Sequence, residues 1–281
     1  MMALLLGLIL SNLAQAAQSK AAHLVSLDWT LTETLVALNA PPIAVAQIDG
    51  YHSWIGEPAL PDSVVDLGLR SQPNMERLAA LAPENILISP MFANLKPRLE
   101  RIAPVTEVPL YTPDKATWPQ LIKLTRKLAQ LVNDRDAGEA LIENTESRLE
   151  TLRKRLPKNT ESLLVVQFID ARHVRVFGSH SLFQAVLERL ELPNAWTRPT
   201  NAWGFSLASL EELITIEARL IIVEPYPQGV QVQLAKSGLW QHQPSVTSER
   251  VISLPPTWSF GALPSARRFA DLLVSALENQ P

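Results

Sequence analysis

The chain contains no cysteine, and that absence excludes several kinds of chemistry at once. Without thiols there is no cysteine nucleophile, no zinc–thiolate site, no iron–sulfur cluster and no disulfide. Excess charge is also lacking, because 25 Lys and Arg residues stand against 28 Asp and Glu residues, for a net charge of -3. No cluster of basic residues compensates locally, so the sequence does not predict a nucleic-acid-binding protein.

The signature motifs of common enzymes are missing as well. The sequence has no G-x-S-x-G nucleophile elbow, no H-E-x-x-H zinc motif and no phosphate-binding loop. Four acidic residues follow no pairing pattern, and we expect them to be solvated or to cap helices: Asp28, Asp49, Asp66 and Glu224. The five histidines are scattered, which makes a zinc or manganese site a weak alternative. These observations argue against an enzyme, and against a hydrolase in particular.

Long hydrophobic segments are absent, but a short one stands at the N-terminus. Ala3–Leu10 is apolar, and Ala14-Gln15-Ala16 forms a small-x-small cleavage site. The apolar run is too short to span a bilayer. Residues 1–16 are therefore predicted to be a cleavable signal peptide that directs export to the periplasm, although no Lys or Arg precedes Lys20. A buried N-terminal helix is the alternative.

What the chain does contain is ample apolar sequence, at 47% of its residues, arranged in an alternating pattern. Short apolar runs such as Leu163–Phe168 are typical of buried strands, and segments such as Thr30–Leu38 have the period of a helix. The alternation runs through residues 17–132 and resumes over 158–281. It predicts an α/β fold of two lobes, each with a mainly parallel sheet flanked by helices.

A long charged helix is predicted between the two lobes, over residues 133–157. Apolar or small side chains recur there at steps of three or four residues, which places them in one narrow stripe: Ala137, Leu141, Thr145, Leu149, Leu152 and Leu156. Asn133 or Asp134 can cap its start, and Pro157 ends it. Such a helix spans roughly 34 Å and suits a strut that joins two lobes; an ordinary surface helix is the alternative.

Two segments on either side of this helix match each other without a gap. Met75–Pro90 and Leu210–Pro225 both predict a helix, a tight turn and a buried strand that ends in proline, with Ile86 aligned to Ile221. Common α/β architecture alone is the alternative explanation. Since ligands bind beyond the carboxyl ends of strands in open α/β sheets, both copies are expected to point their following loops towards one cleft.

Several segments carry a family resemblance: LPDSVVDLGLRSQPNMERL at 60–78, HVRVFGSHSLFQ at 173–184, PNAW at 193–196, TNAWG at 200–204 and TWSFGA at 257–262. With them the chain resembles the periplasmic substrate-binding proteins of ABC importers that have a single rigid interdomain helix. Within that class it resembles the ferric hydroxamate siderophore-binding proteins. The resemblance implies a monomer that binds a ferrichrome-like iron(III)-hydroxamate siderophore and delivers it to an inner-membrane permease with its ATPase. It implies no cofactor and no protein metal ligand, because the siderophore surrounds the iron with its own oxygens.

The resemblance also implies which residues bind the ligand. Arg70 ends a predicted strand and offers several N–H donors to hydroxamate oxygens, although a surface ion pair is the alternative. Aromatic side chains in predicted loops, such as Trp54 in Tyr51–Ile55, suit the lining of a small-molecule pocket, although core packing is the alternative. The predicted ligand-binding residues are Trp54, Arg70, Ser89, Phe92, Trp203, Tyr226, Trp258 and Phe260.

Phe92 departs from the pattern of the family, in which a tyrosine hydroxyl at this place joins the arginine at the hydroxamate. Ser89, Tyr51 or Tyr226 is expected to replace that hydrogen bond, and a siderophore of different shape stays open. Another iron chelate, haem or cobalamin is the alternative ligand, since Tyr51 and His52 are residue types that bind haem iron.

Glu76 and Glu211 occupy the same place in the two repeated segments, early in a predicted helix. In the proteins that this chain resembles, one acidic residue per lobe docks onto the permease, so the resemblance implies that role for this pair. A preference of acids for helix starts is the alternative.

Overall fold

The computed structural model describes residues 23–112, 115–157 and 160–279. The predicted signal peptide at 1–16 lies outside this range. The chain divides into two compact units. Unit 1 comprises the residues up to Ile48, Ala59–Pro109 and Leu124–Leu141, and unit 2 comprises Asp49–Pro58, Leu110–Lys123 and the residues from Ile142 onward. The domain boundaries drawn from the sequence stay a prediction.

Unit 1 is built on a parallel five-stranded sheet with the order β3-β2-β1-β4-β5. Its strands are β1 (Leu24–Ser26), β2 (Ala44–Val45), β3 (Val65–Asp66), β4 (Asn85–Ile88) and β5 (Val105–Glu107). The helices up to the middle of the chain are α1 (Trp29–Ala37), α2 (Ile48–Ile55), α3 (Met75–Ala80), a 3-10 turn (Pro90–Leu95), α4 (Lys96–Leu99), α5 (Thr117–Leu131) and α6 (Arg135–Arg153). Buried Leu27, Leu67 and Ile86 belong to its core.

Unit 2 contains a second five-stranded sheet, with the order β10-β9-β6-β7-β8. Its strands are β6 (Leu163–Phe168), β7 (His173–Phe177), β8 (Phe205–Ser209), β9 (Arg219–Val223) and β10 (Val251–Leu254). The helices that follow α6 are α7 (Leu182–Leu190), α8 (Leu210–Leu213), α9 (Val230–Lys236), α10 (Gly238–Gln241), α11 (Pro244–Thr247) and α12 (Leu263–Asn279). In the described part of the chain, no helix is both long and apolar enough to cross a bilayer.

The predicted α/β fold is confirmed, with one difference in the second sheet. There β6, β9 and β10 are parallel, but β7 runs antiparallel to both β6 and β8. The cause is a short connection: Asp170 Oδ1 accepts hydrogen bonds from the N–H groups of Arg172 and His173, at 2.7 and 2.8 Å. A turn this tight reverses the chain, whereas a parallel strand needs a long crossover.

The long helix predicted at 133–157 is present as α6, which begins at Arg135 and ends at Arg153. Asp134 is the cap, since its Oδ1 accepts a hydrogen bond from the Ala137 N–H at 3.0 Å. At the other end Arg155 and Leu156 donate to carbonyls three residues back, so the helical pattern tightens before Pro157. Leu149 and Leu152 of the predicted stripe are buried.

The strands of the two segments predicted to repeat hold equivalent places in their sheets. In unit 1, Ile86 of β4 pairs with Val25 of β1 on one side and with Val105 of β5 on the other. In unit 2, Ile221 of β9 pairs with Val165 of β6 and Ile252 of β10. Ile86 and Ile221, aligned in the sequence, therefore hold the same place in their sheets.

The aromatic loop predicted at Tyr51–Ile55 is wrong, because these residues lie in helix α2. Asp66 stabilises the start of this helix: its two carboxylate oxygens accept from the N–H groups of Gln47 and Ile48, at 3.0 and 3.2 Å. Those N–H groups have no partner within the helix. A cap supplied from 18 residues further along the chain leaves no local sequence signal.

Candidate functional site

Arg70 of unit 1 lies in the turn that follows strand β3. Its turn is fixed by Asp66, whose Oδ1 also accepts from the Gly68 N–H at 2.8 Å, and Gly68 adopts a φ of 77° that favours glycine. Arg70 Nε donates to the Leu27 carbonyl at 3.4 Å. The side chain of Arg70 is only 13% exposed, and its Nη2 lies 3.7 Å from Asp28 Oδ2. Arg70 therefore reaches from the end of β3 to the end of β1.

Asp28 holds this arrangement together from the turn after β1. Its Oδ1 caps helix α1 by accepting from the Thr30 N–H at 2.8 Å, and its Oδ2 accepts from the Ser89 hydroxyl at 2.7 Å. Burial lowers the pKa of the Arg70 guanidinium, while the charge of Asp28 acts in the opposite direction. A buried carboxylate with this many donors is a rigid support for the guanidinium beside it.

Two aromatic rings flank the same guanidinium. The central carbon of Arg70 lies 4.2 Å from the centroid of the Trp29 ring and 4.9 Å from that of Phe92. Cation–π contacts of this kind hold the plane of the guanidinium, and its N–H groups point outward in that plane. The structure thus brings three predicted residues together in unit 1: Arg70, Ser89 and Phe92.

Unit 2 contains an aromatic cluster, made of Trp54, Tyr111, Trp203, Phe205, Trp258 and Phe260. Phe260 is at its centre, with ring centroids 5.3 Å from Trp258 and 5.5 Å from Trp203. Trp54 meets Trp258 edge to face at 6.3 Å. Four predicted ligand-binding residues therefore contact one another in a continuous aromatic group: Trp54, Trp203, Trp258 and Phe260.

Tyr226, the remaining predicted ligand-binding residue, packs elsewhere in unit 2. Its ring stacks on Phe168 at 5.4 Å, and its hydroxyl lies 3.1 Å from the Ser253 hydroxyl. Burial raises the pKa of Tyr226, against the effect of the Ser253 hydrogen bond. It is half-buried and keeps a hydroxyl at the surface.

The other two hydroxyls expected to replace a tyrosine at position 92 are engaged within the protein. Ser89 is fully buried and donates to Asp28. Tyr51 is also fully buried, and its hydroxyl donates to the Pro58 carbonyl at 2.8 Å. Tyr226 is the one of the three that stays partly exposed.

Glu76 and Glu211 are exposed and lie in the first turns of α3 and α8, at the same place in the two repeats. Hydrogen bonds from its own backbone N–H and from Ser209 hold the pKa of Glu211 below its usual value. Both residues are therefore positioned as surface carboxylates, each on its own unit.

Sequence reasoning missed Trp29, Tyr111 and Phe205 as members of these groups. The Tyr111 hydroxyl donates to the Gly261 carbonyl at 2.6 Å, which fixes the ring beside Trp203. Contacts over such distances in sequence leave no local motif. Asp28 was expected to cap or to be solvated; it caps α1 and also supports Arg70. Among the residues that the structure describes, no three His, Asp or Glu side chains form a group that could hold a metal ion.

The fold and these two groups of residues fit one class of protein. The family model described as "Periplasmic binding protein" matches residues 24–257, and the chain belongs to that family. One relative is the Escherichia coli iron(3+)-hydroxamate-binding protein FhuD, which is 33% identical over 268 residues that cover 95% of this chain and 90% of the relative. The E. coli Fe(3+) dicitrate-binding periplasmic protein FecB is 25% identical over 92% of this chain and 86% of its own.

Solved structures agree with this assignment. The Fe3+–Desferal complex of the siderophore-binding protein FhuD from Vibrio cholerae matches with a TM-score of 0.86 and 30% identity, over 91% of this chain and 97% of that chain. The triscatecholate siderophore-binding protein FeuA from Bacillus subtilis matches with a TM-score of 0.74 and 16% identity, over 91% of each chain, and supports the fold alone. These relatives are binding proteins rather than enzymes.

Proposed function

We propose that this protein is the periplasmic substrate-binding component of an ABC importer and that it binds an iron(III)-hydroxamate siderophore. The signal peptide at residues 1–16 directs its export, and the mature monomer delivers the loaded siderophore to an inner-membrane permease and its ATPase. The siderophore supplies all the oxygens around the iron, so no residue of the protein binds the metal. The protein acts by binding and not by catalysis.

The observation that carries the proposal is the environment of Arg70. Its guanidinium is nearly buried, is held by Asp28 and lies between two aromatic rings. This is the geometry of a fixed donor for a negatively polarised oxygen, such as those of a hydroxamate. The aromatic cluster of unit 2 offers the apolar surface that suits the organic shell of such a ligand.

The proposal is tested by tryptophan fluorescence. Mature protein, beginning near Ala17, is titrated separately with a ferrichrome-like chelate, a ferrioxamine-like chelate, ferric dicitrate, haem, cobalamin and zinc. We expect saturable quenching with one or both ferric hydroxamates, since tryptophans lie in both groups of residues. Quenching by another compound, with no response to either hydroxamate, would contradict the proposal.

Phe92 gives a first prediction about ligand range. Phe92→Tyr adds a hydroxyl to the ring whose centroid lies 4.9 Å from the central carbon of Arg70. We expect binding of a ferrichrome-like chelate to become tighter by about fivefold, which is the effect of one additional hydrogen bond of roughly 1 kcal/mol. Isothermal titration calorimetry measures the change. A lower affinity in a variant that unfolds at the normal temperature would mean that Phe92 packs against a different ligand shell.

Ser89 gives a second prediction, because its hydroxyl supports Arg70 through Asp28. In Ser89→Ala, Asp28 Oδ2 loses the hydrogen bond from Ser89, and the guanidinium of Arg70 is held less firmly. We expect siderophore affinity to fall by about fivefold, from the loss of roughly 1 kcal/mol.

The matched control for Ser89 is Ser26→Ala, which removes an equally buried hydroxyl that donates to the backbone carbonyl of Asp28 rather than to its carboxylate. That variant is expected to lose stability but to keep its affinity. Equal losses of affinity in the two variants would show that Ser89 acts only through general stability.

A further inference from the structure

A second arginine, Arg175, lies against the aromatic cluster of unit 2. It is in the middle of β7, where it pairs directly with Gln167 of β6 and with Leu207 of β8. Its guanidinium lies over the Phe205 ring, 5.5 Å from the centroid, and Phe205 in turn packs 6.0 Å from Phe260. One ring thus separates Arg175 from the centre of the predicted ligand-binding aromatics.

Arg175 has no carboxylate partner in the described parts of unit 2. Two other arginines of that unit, Arg219 and Arg250, by contrast share the carboxylate of Glu161. Arg175 instead has a neutral hydrogen-bond partner: its Nη1 donates to Gln167 Oε1 at 3.2 Å. The side chain is half-buried, and burial lowers the pKa of Arg175 with no opposing effect from an acid. Partial burial of a cation without a counter-charge costs stability, so its presence calls for a functional reason.

Gln167 fixes the orientation of this arginine. Its Oε1 accepts from both Arg175 Nη1 and the Ser259 hydroxyl, each at 3.2 Å. Because Oε1 accepts from both donors, the side-chain amide of Gln167 is held in one orientation. Its Nε2 is buried and has no hydrogen-bond partner among the described residues. Ser259 stands between Trp258 and Phe260 in the sequence, so the same contacts tie Arg175 to the loop that carries two ligand-binding aromatics.

We propose that Arg175 is a second ligand-binding guanidinium, which binds an anionic oxygen of the iron chelate. Gln167 and Ser259 position it, and Phe205 supports the face of its plane. The inference rests on the proposed function. It gives unit 2 a hydrogen-bond donor for the ligand, whereas Phe92 of unit 1 has no donor. The anionic oxygen belongs either to an iron-bound hydroxamate or to a carboxylate carried by the siderophore.

The test compares Arg175→Leu with the unaltered protein by calorimetric titration of two ferric trihydroxamates, one without carboxylates and one that carries them. A charged hydrogen bond of this kind is expected to change affinity by about tenfold or more. A loss with both chelates supports binding of hydroxamate oxygens. A loss only with the second supports binding of the carboxylate. Unchanged affinity for both would overturn the assignment of Arg175.

Arg172→Leu is the matched control, since it removes the same charge from an exposed position on the hairpin between β6 and β7. Its affinity for both chelates is expected to stay normal, and an equal loss in this variant would also overturn the assignment. Arg175→Gln, which keeps a polar side chain, serves if the leucine variant does not fold. If the unaltered protein binds neither chelate, the proposed function fails; if it binds and Arg175 variants bind equally, only this inference fails.

Discussion

Arg70→Ala is expected to weaken siderophore binding by about 5- to 150-fold, or roughly 1–3 kcal/mol, without preventing folding. The variant removes the guanidinium that lies between Trp29 and Phe92 and faces Asp28. It also leaves Asp28 without its cationic neighbour, although the α1 backbone and Ser89 still donate to that carboxylate. Calorimetric titration measures the loss of affinity, and thermal unfolding measures the stability.

Two companion variants sharpen this result. Arg70→Lys keeps a positive charge but loses the planar fork, so its affinity is expected to fall between those of the alanine variant and the unaltered protein. Arg98→Ala removes an exposed arginine from the same unit and should leave binding unchanged. Normal affinity in Arg70→Ala would remove this residue from the binding site and, with it, the main support for the proposed function.

Glu76→Lys combined with Glu211→Lys is expected to abolish siderophore uptake by cells while leaving siderophore affinity intact. Each unit presents one of these exposed carboxylates at the start of its repeated helix–strand segment. We propose that the two acids dock on the permease, because a two-fold partner would present the same basic patch twice. Exposed charges at an interface act mainly through association rate and salt dependence, so each single variant should lose less than the pair.

The control for this pair is Glu100→Lys with Glu188→Lys, which reverses one exposed acid on each unit outside the repeated segments. Uptake by that variant should be normal. Since acids near a helix start also favour the helix, thermal unfolding must show that both double variants remain folded. Normal uptake by the Glu76 and Glu211 double variant would show that the two residues only stabilise their helices.

The features that the sequence predicted well are those with a local physical cause. Leu163–Phe168 is apolar at almost every position, and the strand found there is buried throughout. Pro157 was predicted to end the long helix through its missing N–H group, and α6 ends at Arg153, four residues before it. The repeated segments were found because they share both pattern and length.

The features that were missed depend on residues far apart in the chain. Helix α2 begins where Asp66 caps it, and Arg70 is positioned by Asp28, 42 residues earlier. Arg175 looks like an ordinary outward residue of an alternating strand until the register pairs it with Gln167. Strand pairing, rather than local pattern, decides which polar side chain meets which, and a single sequence does not contain that information.

The antiparallel hairpin of unit 2 has a consequence for which side chains of its sheet stay exposed. A parallel strand pair needs a crossover, usually a helix that covers the sheet, whereas β7 follows β6 through a short turn and leaves Leu207 of β8 67% exposed. Leu207 pairs directly with Arg175 of β7, so the neighbour of Arg175 on the β8 side is exposed, whereas its neighbour on the β6 side, Gln167, is buried. Arg175 thus lies at the border between the exposed and the buried part of this sheet.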